Sequence, residues 1–188
     1  MFLLEAGNRY SYSDLVWTPH LLEGYLFSDE NSSMYINLLF LFTYTSLCGL
    51  LWIQDLRTGL LPDKFTCPLL WSGLIYHQCC KPAELSDAVW GAAVGYSVFS
   101  LIYWSYRLVR RQEGLGYGDV KFLAALGAWH RWESLPLLVF TAACLACCII
   151  GIRSVTDGRK VLKNPLPFGP YLAAAGFIIG WVNLMQGD

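Results

Sequence analysis

Two aspartates, Asp55 and Asp119, lie at the edges of apolar segments that otherwise carry almost no charge. Asp55 begins the run DLRTGLLPD, and Asp119 lies in the run GLGYGDVK, which starts at Gly114. A carboxylate at the rim of a membrane segment is energetically expensive, so it usually serves a function. Two carboxylates around one water can hydrolyse a peptide: one takes a proton from the water, and the other, protonated, polarises the substrate carbonyl. The pair shares one proton, because two like charges a few ångströms apart do not both ionise readily.

The composition indicates an all-α integral membrane protein. Of 188 residues, 55% are apolar and only 14% are charged, whereas a typical soluble domain carries about 25% charged residues. The mean hydropathy is +0.42 and the net charge is −1. A lipid bilayer is therefore the expected surrounding. No basic strip interleaved with aromatic residues is present, so the sequence predicts no nucleic-acid partner.

The hydropathy pattern predicts a bundle of about six transmembrane helices. The six apolar segments cover residues 34–54, 65–79, 88–106, 120–129, 135–152 and 168–185. The fourth segment is shorter than the roughly 20 residues that span a bilayer. Joining it to the fifth would bury His130, Arg131 and Glu133 in the membrane, at a cost of several kcal/mol. We therefore expect residues 120–130 to form a short, spanning helix that neighbouring helices shield from lipid.

Two regions are expected along the chain, an N-terminal interfacial or periplasmic segment (residues 1–33) and one membrane-embedded domain (residues 34–188). The first region carries five acidic residues against a single arginine, Arg9. A cleavable signal peptide has a basic start and a continuous apolar core, so this region is not predicted to be one.

The basic residues divide unequally between the two predicted sides of the bundle. One side carries Arg9, Lys81 and Arg131. The other carries ten, together with both aspartates: Arg57, Lys64, Arg107, Arg110, Arg111, Lys121, Arg153, Arg159, Lys160 and Lys163. By the positive-inside rule the second side faces the cytoplasm. Asp55 and Asp119 are therefore expected in one shared reaction centre on the cytoplasmic side.

Four further residues are candidates for supporting roles, each with a plainer alternative. Gly116 and Gly118 have no Cβ, so a substrate strand can approach them closely; the alternative is an ordinary turn before an Asp-capped helix. Asp63 either supports the site or is a polar loop or cap residue. Lys121 either binds an acidic group of the substrate or anchors a helix end at the membrane surface.

The seven cysteines predict no metal site and no cofactor. Cys144 and Cys147 form a CxxC pair inside an apolar segment. A zinc site needs four converging ligands, and no second pair has suitable spacing. In such segments cysteine behaves as a small hydrophobic residue.

Three motifs together resemble the type IV prepilin peptidases, which are polytopic aspartic endopeptidases of bacterial pilus and type II secretion systems. GLGYGDVKFLAALGAW resembles their GxGD motif and the helix after it. DLRTGLLPDKFTCPLLWSGL resembles their other aspartate motif, including its Leu-Pro-Asp. NPLPFGPYLAAAG, from Asn164, resembles the segment before their last helix, and is expected to set the start of that helix rather than to take part in chemistry. The resemblance covers roughly residues 35 to 185, in order and at similar spacing.

The resemblance implies a GxGD aspartyl protease fold with Asp55 and Asp119 as catalytic residues and Gly116 and Gly118 as motif glycines. It implies cleavage of the basic leader of prepilin or pseudopilin substrates at the cytoplasmic face of the bacterial inner membrane, by a multi-pass protein. Larger members carry a cysteine-rich N-terminal region linked to N-methylation, and this chain resembles the shorter, peptidase-only members. Methyl transfer is therefore not expected. The oligomeric state and the particular prepilin are not predicted.

Two alternatives remain open from the sequence. One is a non-enzymatic transporter or assembly scaffold that uses the aspartates to bind ions or protons. Carboxylates of transporters usually lie near the midplane of the bilayer, whereas these lie at segment edges. The other is a GxGD protease with a different substrate.

Overall fold

A computed structural model describes residues 30–110, 116–157 and 167–186 of the chain, and within them every regular element is helical. The elements are α1 (Glu30–Thr58), α2 (Asp63–Cys80), a 3-10 turn (Pro82–Glu84), α3 (Leu85–Arg110), α4 (Tyr117–Asp157) and α5 (Gly169–Gln186). The prediction of an all-α protein is confirmed for this part of the chain.

Three stretches of the described residues are long and apolar enough to cross a membrane: Met34–Thr58, Pro82–Val109 and Tyr117–Arg153. Large apolar side chains such as Phe42, Leu101 and Phe140 are exposed on these helices. Such a surface is stable in lipid, so the structure supports the prediction of a membrane protein. The count of six transmembrane helices remains a prediction.

Helix α4 is interrupted at Arg131, which has φ 63° and ψ 168°. An uninterrupted helix of 41 residues would be roughly 60 Å long, about twice the thickness of the hydrocarbon core. The break lies between the fourth and fifth predicted segments, where charged residues opposed a continuous span. Arg131 donates to Glu84 across 3.2 Å. Gly91 packs on the interrupted backbone, where a Cβ would lie 2.9 Å from the Arg131 carbonyl carbon.

The first half of α4 is enclosed by the rest of the bundle. Phe122, Leu123, Ala125 and Leu126 are almost completely inaccessible to solvent. The predicted shielding of this short segment is therefore confirmed, whereas its crossing of the membrane stays a prediction. Enclosure on all sides explains why the segment has no polar face and no amphipathic pattern.

Two glycines allow α3 to pack closely on this enclosed half. A Cβ on Gly91 would lie 2.3 Å from the Gly127 carbonyl oxygen, and a Cβ on Gly127 would lie 2.3 Å from the Gly91 carbonyl oxygen. One turn away, a Cβ on Gly95 would lie 3.0 Å from the Leu123 carbonyl oxygen. Backbone therefore rests on backbone, which gives α4 a fixed position relative to α3.

The chain forms two compact units, Met1–Leu39 and Phe40–Asp188. Of the first unit the structure describes only Glu30–Leu39, which forms the beginning of α1. Residues 1–29, most of the predicted interfacial or periplasmic segment, lie outside the described residues. Every residue of the candidate site below belongs to the second unit.

Candidate active site

Asp55 lies in the last turn of α1 and is only 4% exposed. Its carbonyl oxygen accepts a hydrogen bond of 2.8 Å from the backbone N–H of Gly59. Gly59 has φ +63°, the left-handed conformation in which glycine commonly ends a helix. The chain therefore turns directly after Asp55, which brings the LLPD sequence back toward the carboxylate.

Asp119 lies in the first turn of α4 and is 7% exposed. Its backbone N–H donates to the Gly116 carbonyl oxygen across 3.0 Å. The side chain also packs against Gly116, since a Cβ there would lie 3.2 Å from Asp119 Oδ2. Gly116 is thus in contact with a candidate catalytic carboxylate, while Gly114 lies outside the described residues.

The two carboxyl groups are close enough for their charges to repel each other. Oδ2 of Asp55 and Oδ1 of Asp119 are both buried, and neither has a hydrogen-bond partner among the described residues. Buried carboxylate oxygens without partners are costly. A water molecule or a peptide group placed between them would supply the missing hydrogen bonds. The arrangement suits hydrolysis by two carboxyl groups that share one proton.

Leu61 connects the surroundings of the two aspartates. A Cβ on Gly118 would lie 2.8 Å from Leu61 Cβ, and a Cβ on Gly169 would lie 3.3 Å from Leu61 Cδ1. The same Cβ on Gly169 would lie only 2.6 Å from Asp55 Oδ2. The backbone amide of Gly169 lies beside the Asp55 carboxyl group. Leu61, Gly118 and Gly169 therefore form a close-packed contact that brings the turn after α1, the start of α4 and the start of α5 together at the carboxylates.

Asp63 and Lys121 form an ion pair on the protein surface. Lys121 Nζ donates to both carboxylate oxygens of Asp63, at 2.7 and 2.8 Å. The pair links the first turn of α2 to the second turn of α4. Lys121 Nζ also lies 5.4 Å from the centre of the Tyr117 ring. Lys121 therefore lies close to Asp119 in the chain, and it already has a carboxylate partner within the protein.

The structure assigns two neighbours to the aspartates that sequence reasoning did not single out. Leu61 lies in the run DLRTGLLPD, but its apolar side chain did not indicate a role in the chemistry. Gly169 was expected only to set the start of a helix, and it does lie at the start of α5. It also packs directly on the Asp55 carboxyl group. The available signal was the glycine itself, because a glycine in a motif often marks a close approach of the backbone to another group.

Comparisons with known proteins identify the family of this chain. Residues 39–152 match the model of the type IV leader peptidase family, a range that contains both aspartates. The chain belongs to this family. Leader peptidase HopD of Salmonella typhimurium is 64% identical over 148 residues, which is 79% of this chain and 96% of that protein. The HopD protein of Escherichia coli is 60% identical over the same shares.

A further relative is longer than this chain. Prepilin leader peptidase/N-methyltransferase of Aeromonas salmonicida is 45% identical over 134 residues, which is 71% of this chain but only 44% of that protein. No solved structure shows significant similarity to the chain. The resemblance predicted from the three sequence motifs is confirmed.

Proposed function

We propose that this chain is a membrane aspartic endopeptidase that removes the basic leader from prepilin or pseudopilin-like proteins. The observation that carries the proposal is the buried pair of Asp55 and Asp119 with its two unpaired carboxylate oxygens, in a chain that belongs to the leader peptidase family. The names of the HopD and Aeromonas relatives support this activity. The N-methyltransferase activity in the Aeromonas name is not part of the proposal.

The proposed reaction needs only the two carboxyl groups, a water molecule and the peptide. One aspartate, ionised, takes a proton from the water as the oxygen attacks the scissile carbonyl carbon. The other, protonated, donates a hydrogen bond to the carbonyl oxygen, on which negative charge develops. The tetrahedral intermediate then collapses, the C–N bond breaks, and a proton passes to the leaving nitrogen. The cycle ends with one proton again shared by the pair.

The first turn of α4 is the proposed place for the substrate backbone. Gly116 is exposed and has no side chain, so an extended peptide can lie against the backbone before Asp119. Gly118 instead packs against Leu61. Asp63 and Lys121 connect the beginning of α4 to α2 through their ion pair. We assign Gly116 to substrate binding, and Gly118, Asp63 and Lys121 to support of the site.

The proposed setting is the bacterial inner membrane, with residues 34–188 as a peptidase domain of about six transmembrane helices. The ten basic residues that share a predicted side with Asp55 and Asp119 support an active site that faces the cytoplasm. A basic leader that has not yet been exported would be located on this side.

The test is cleavage of a prepilin-like protein by the full chain in liposomes. The wild-type protein should shorten the substrate to one defined new N-terminus, identified by mass spectrometry. Asp55→Ala and Asp119→Ala should each abolish this product, whereas Asp87→Ala, on α3, serves as a control that should cleave normally. Full activity in either active-site variant would refute the aspartate assignment, and absence of cleavage by the wild type would refute the proposed function.

A further inference from the structure

Tyr117 lies between the two glycines that precede Asp119, and its contacts affect the orientation of the first turn of α4. It lies in the first turn of α4, two residues before Asp119. Residues two apart on a helix point to nearly opposite sides. The side chains of Tyr117 and Asp119 therefore extend from opposite sides of this turn.

Three neighbours fix the Tyr117 side chain. Its hydroxyl group forms a hydrogen bond with the hydroxyl group of Tyr96. The ring of Tyr103 meets it edge to face, with the ring centres 5.3 Å apart. The ammonium group of Lys121 lies 5.4 Å from its ring centre. Tyr103 is held in turn by Arg107, whose guanidinium donates to the Tyr103 hydroxyl across 3.0 Å.

Gly116 and Gly118 have no side chains, so Tyr117 is the residue among these three that connects the start of α4 to α3. Tyr96 provides a fixed reference, since α3 packs through Gly91 and Gly95 directly on the α4 backbone. The Tyr96 hydroxyl thus connects the start of α4 to α3, whose position on α4 is fixed by these backbone contacts.

We propose that Tyr96 is a positioning residue for the reaction: through its hydrogen bond to Tyr117 it holds the first turn of α4 so that the Asp119 carboxyl group faces Asp55. This inference rests on the proposed peptidase function. Tyr96 does not touch the reacting atoms and takes no part in proton transfer. Its contribution is a geometry in which the two carboxylates are already placed when the substrate binds.

The experiment compares Tyr96→Phe, Tyr117→Phe and the double variant with Tyr106→Phe, which alters an exposed tyrosine of the same helix. Each of the first two variants removes one hydroxyl group and keeps the ring. We expect kcat to fall about fivefold to tenfold, as the loss of one neutral hydrogen bond predicts, with KM unchanged. The double variant should be no worse than either single variant, because both remove the same hydrogen bond. Tyr106→Phe should match the wild type.

Amide hydrogen exchange supplies a second readout that does not require cleavage. Exchange in residues 117–121 should be faster in Tyr96→Phe than in the wild type and unchanged in Tyr106→Phe. Wild-type kcat in Tyr96→Phe, multiplicative losses in the double variant, or unaltered exchange would each overturn the inference while leaving the peptidase function intact. A wild-type protein that cleaves no prepilin would instead remove the proposed function and this inference with it.

Discussion

Two buried polar regions lie at different heights of the same bundle, and they satisfy their polar atoms in different ways. The carboxylate pair is at the start of α4. The second region, the histidine cluster, comprises Tyr44, His77, Glu84, His130 and Arg131. Asp119 and His130 are separated by roughly 16 Å along α4, at 1.5 Å per residue.

In the histidine cluster each polar group has a partner within the chain. The Tyr44 hydroxyl and His130 Nε2 are 3.0 Å apart, and His77 Nδ1 donates to the Gly73 carbonyl oxygen across 3.0 Å. Glu84 accepts from Arg131 at 3.2 Å. Such pairing offsets the cost of burial and orders the helices around it.

The carboxylate pair instead keeps one buried oxygen of each aspartate unpaired. Folding gains little from two such groups, since their desolvation and mutual repulsion both oppose burial. The two regions therefore differ in hydrogen-bond satisfaction: the histidine cluster has the pattern of a structural region, and the carboxylate pair has the pattern expected of the proposed active site.

The largest expected effect comes from Asp55→Asn and Asp119→Asn, measured separately and together. Each single variant should lower kcat/KM by about 10³-fold or more, and the double variant should lose little further, because the two groups act as one unit. Thermal unfolding should not be weakened, since the mutual repulsion is removed. If the double variant retained activity, or if both single variants were clearly destabilised, the pair would have a structural role rather than a catalytic one.

Gly169→Ala should have the next largest effect. The added Cβ would lie 2.6 Å from Asp55 Oδ2 and must displace the carboxyl group. A misplacement of about 1 Å typically costs about 10²-fold in rate, so we expect a loss of that order in kcat/KM. Gly49→Ala, on α1, is the matched control, because a Cβ there meets no atom within 4 Å. Equal activity of the two variants would show that Gly169 does not position Asp55.

Glu84→Gln should affect stability rather than catalysis. It removes the negative charge shared by Arg131 and Lys81, whose ammonium group lies 3.6 Å from Glu84. We expect the free energy of unfolding to fall by about 1–2 kcal/mol, the usual range for a partly buried charged hydrogen bond. The kcat/KM should stay within about threefold of the wild type, since the cluster is remote from the reaction. Exposed Glu133, changed to Gln, provides the control for charge. A fall in kcat/KM of clearly more than about threefold would mean that the cluster takes part in function.

The smallest expected effect is on the surface ion pair. Asp63→Asn and Lys121→Gln should each change the free energy of unfolding by less than about 1 kcal/mol, because exposed pairs are screened by water and salt. A double-mutant cycle should give a coupling that weakens as NaCl is raised. A coupling that is large and independent of salt would contradict the view of Asp63 and Lys121 as a solvent-exposed support.

Much of the fold followed from local features of the sequence. Long apolar runs predicted the helices, and the charges at His130, Arg131 and Glu133 predicted a break where α4 is interrupted at Arg131. Burial of the short fourth segment also followed, since a segment without a polar face must be surrounded by apolar groups. These properties depend on residues that are close together in the chain.

The close approach of Gly169 to Asp55 did not follow in this way. The two residues are far apart in the chain, and a glycine has no side chain whose chemical type would indicate which group it contacts. The contact of Tyr96 with Tyr117 was not predicted either. Tyr96 lies in none of the three motifs, and it contacts Tyr117 only because α3 packs through glycines on α4.

The sequence by itself therefore determined an all-helical membrane protein of the leader peptidase family with two aspartates at segment edges, because solvation and motif content are local properties. Tertiary packing decided which groups surround those aspartates. Leu61 and Gly169 reach the pair through turns and helix contacts, and two carboxylate oxygens remain unpaired beside them. Distances of this kind depend on how separate helices pack together.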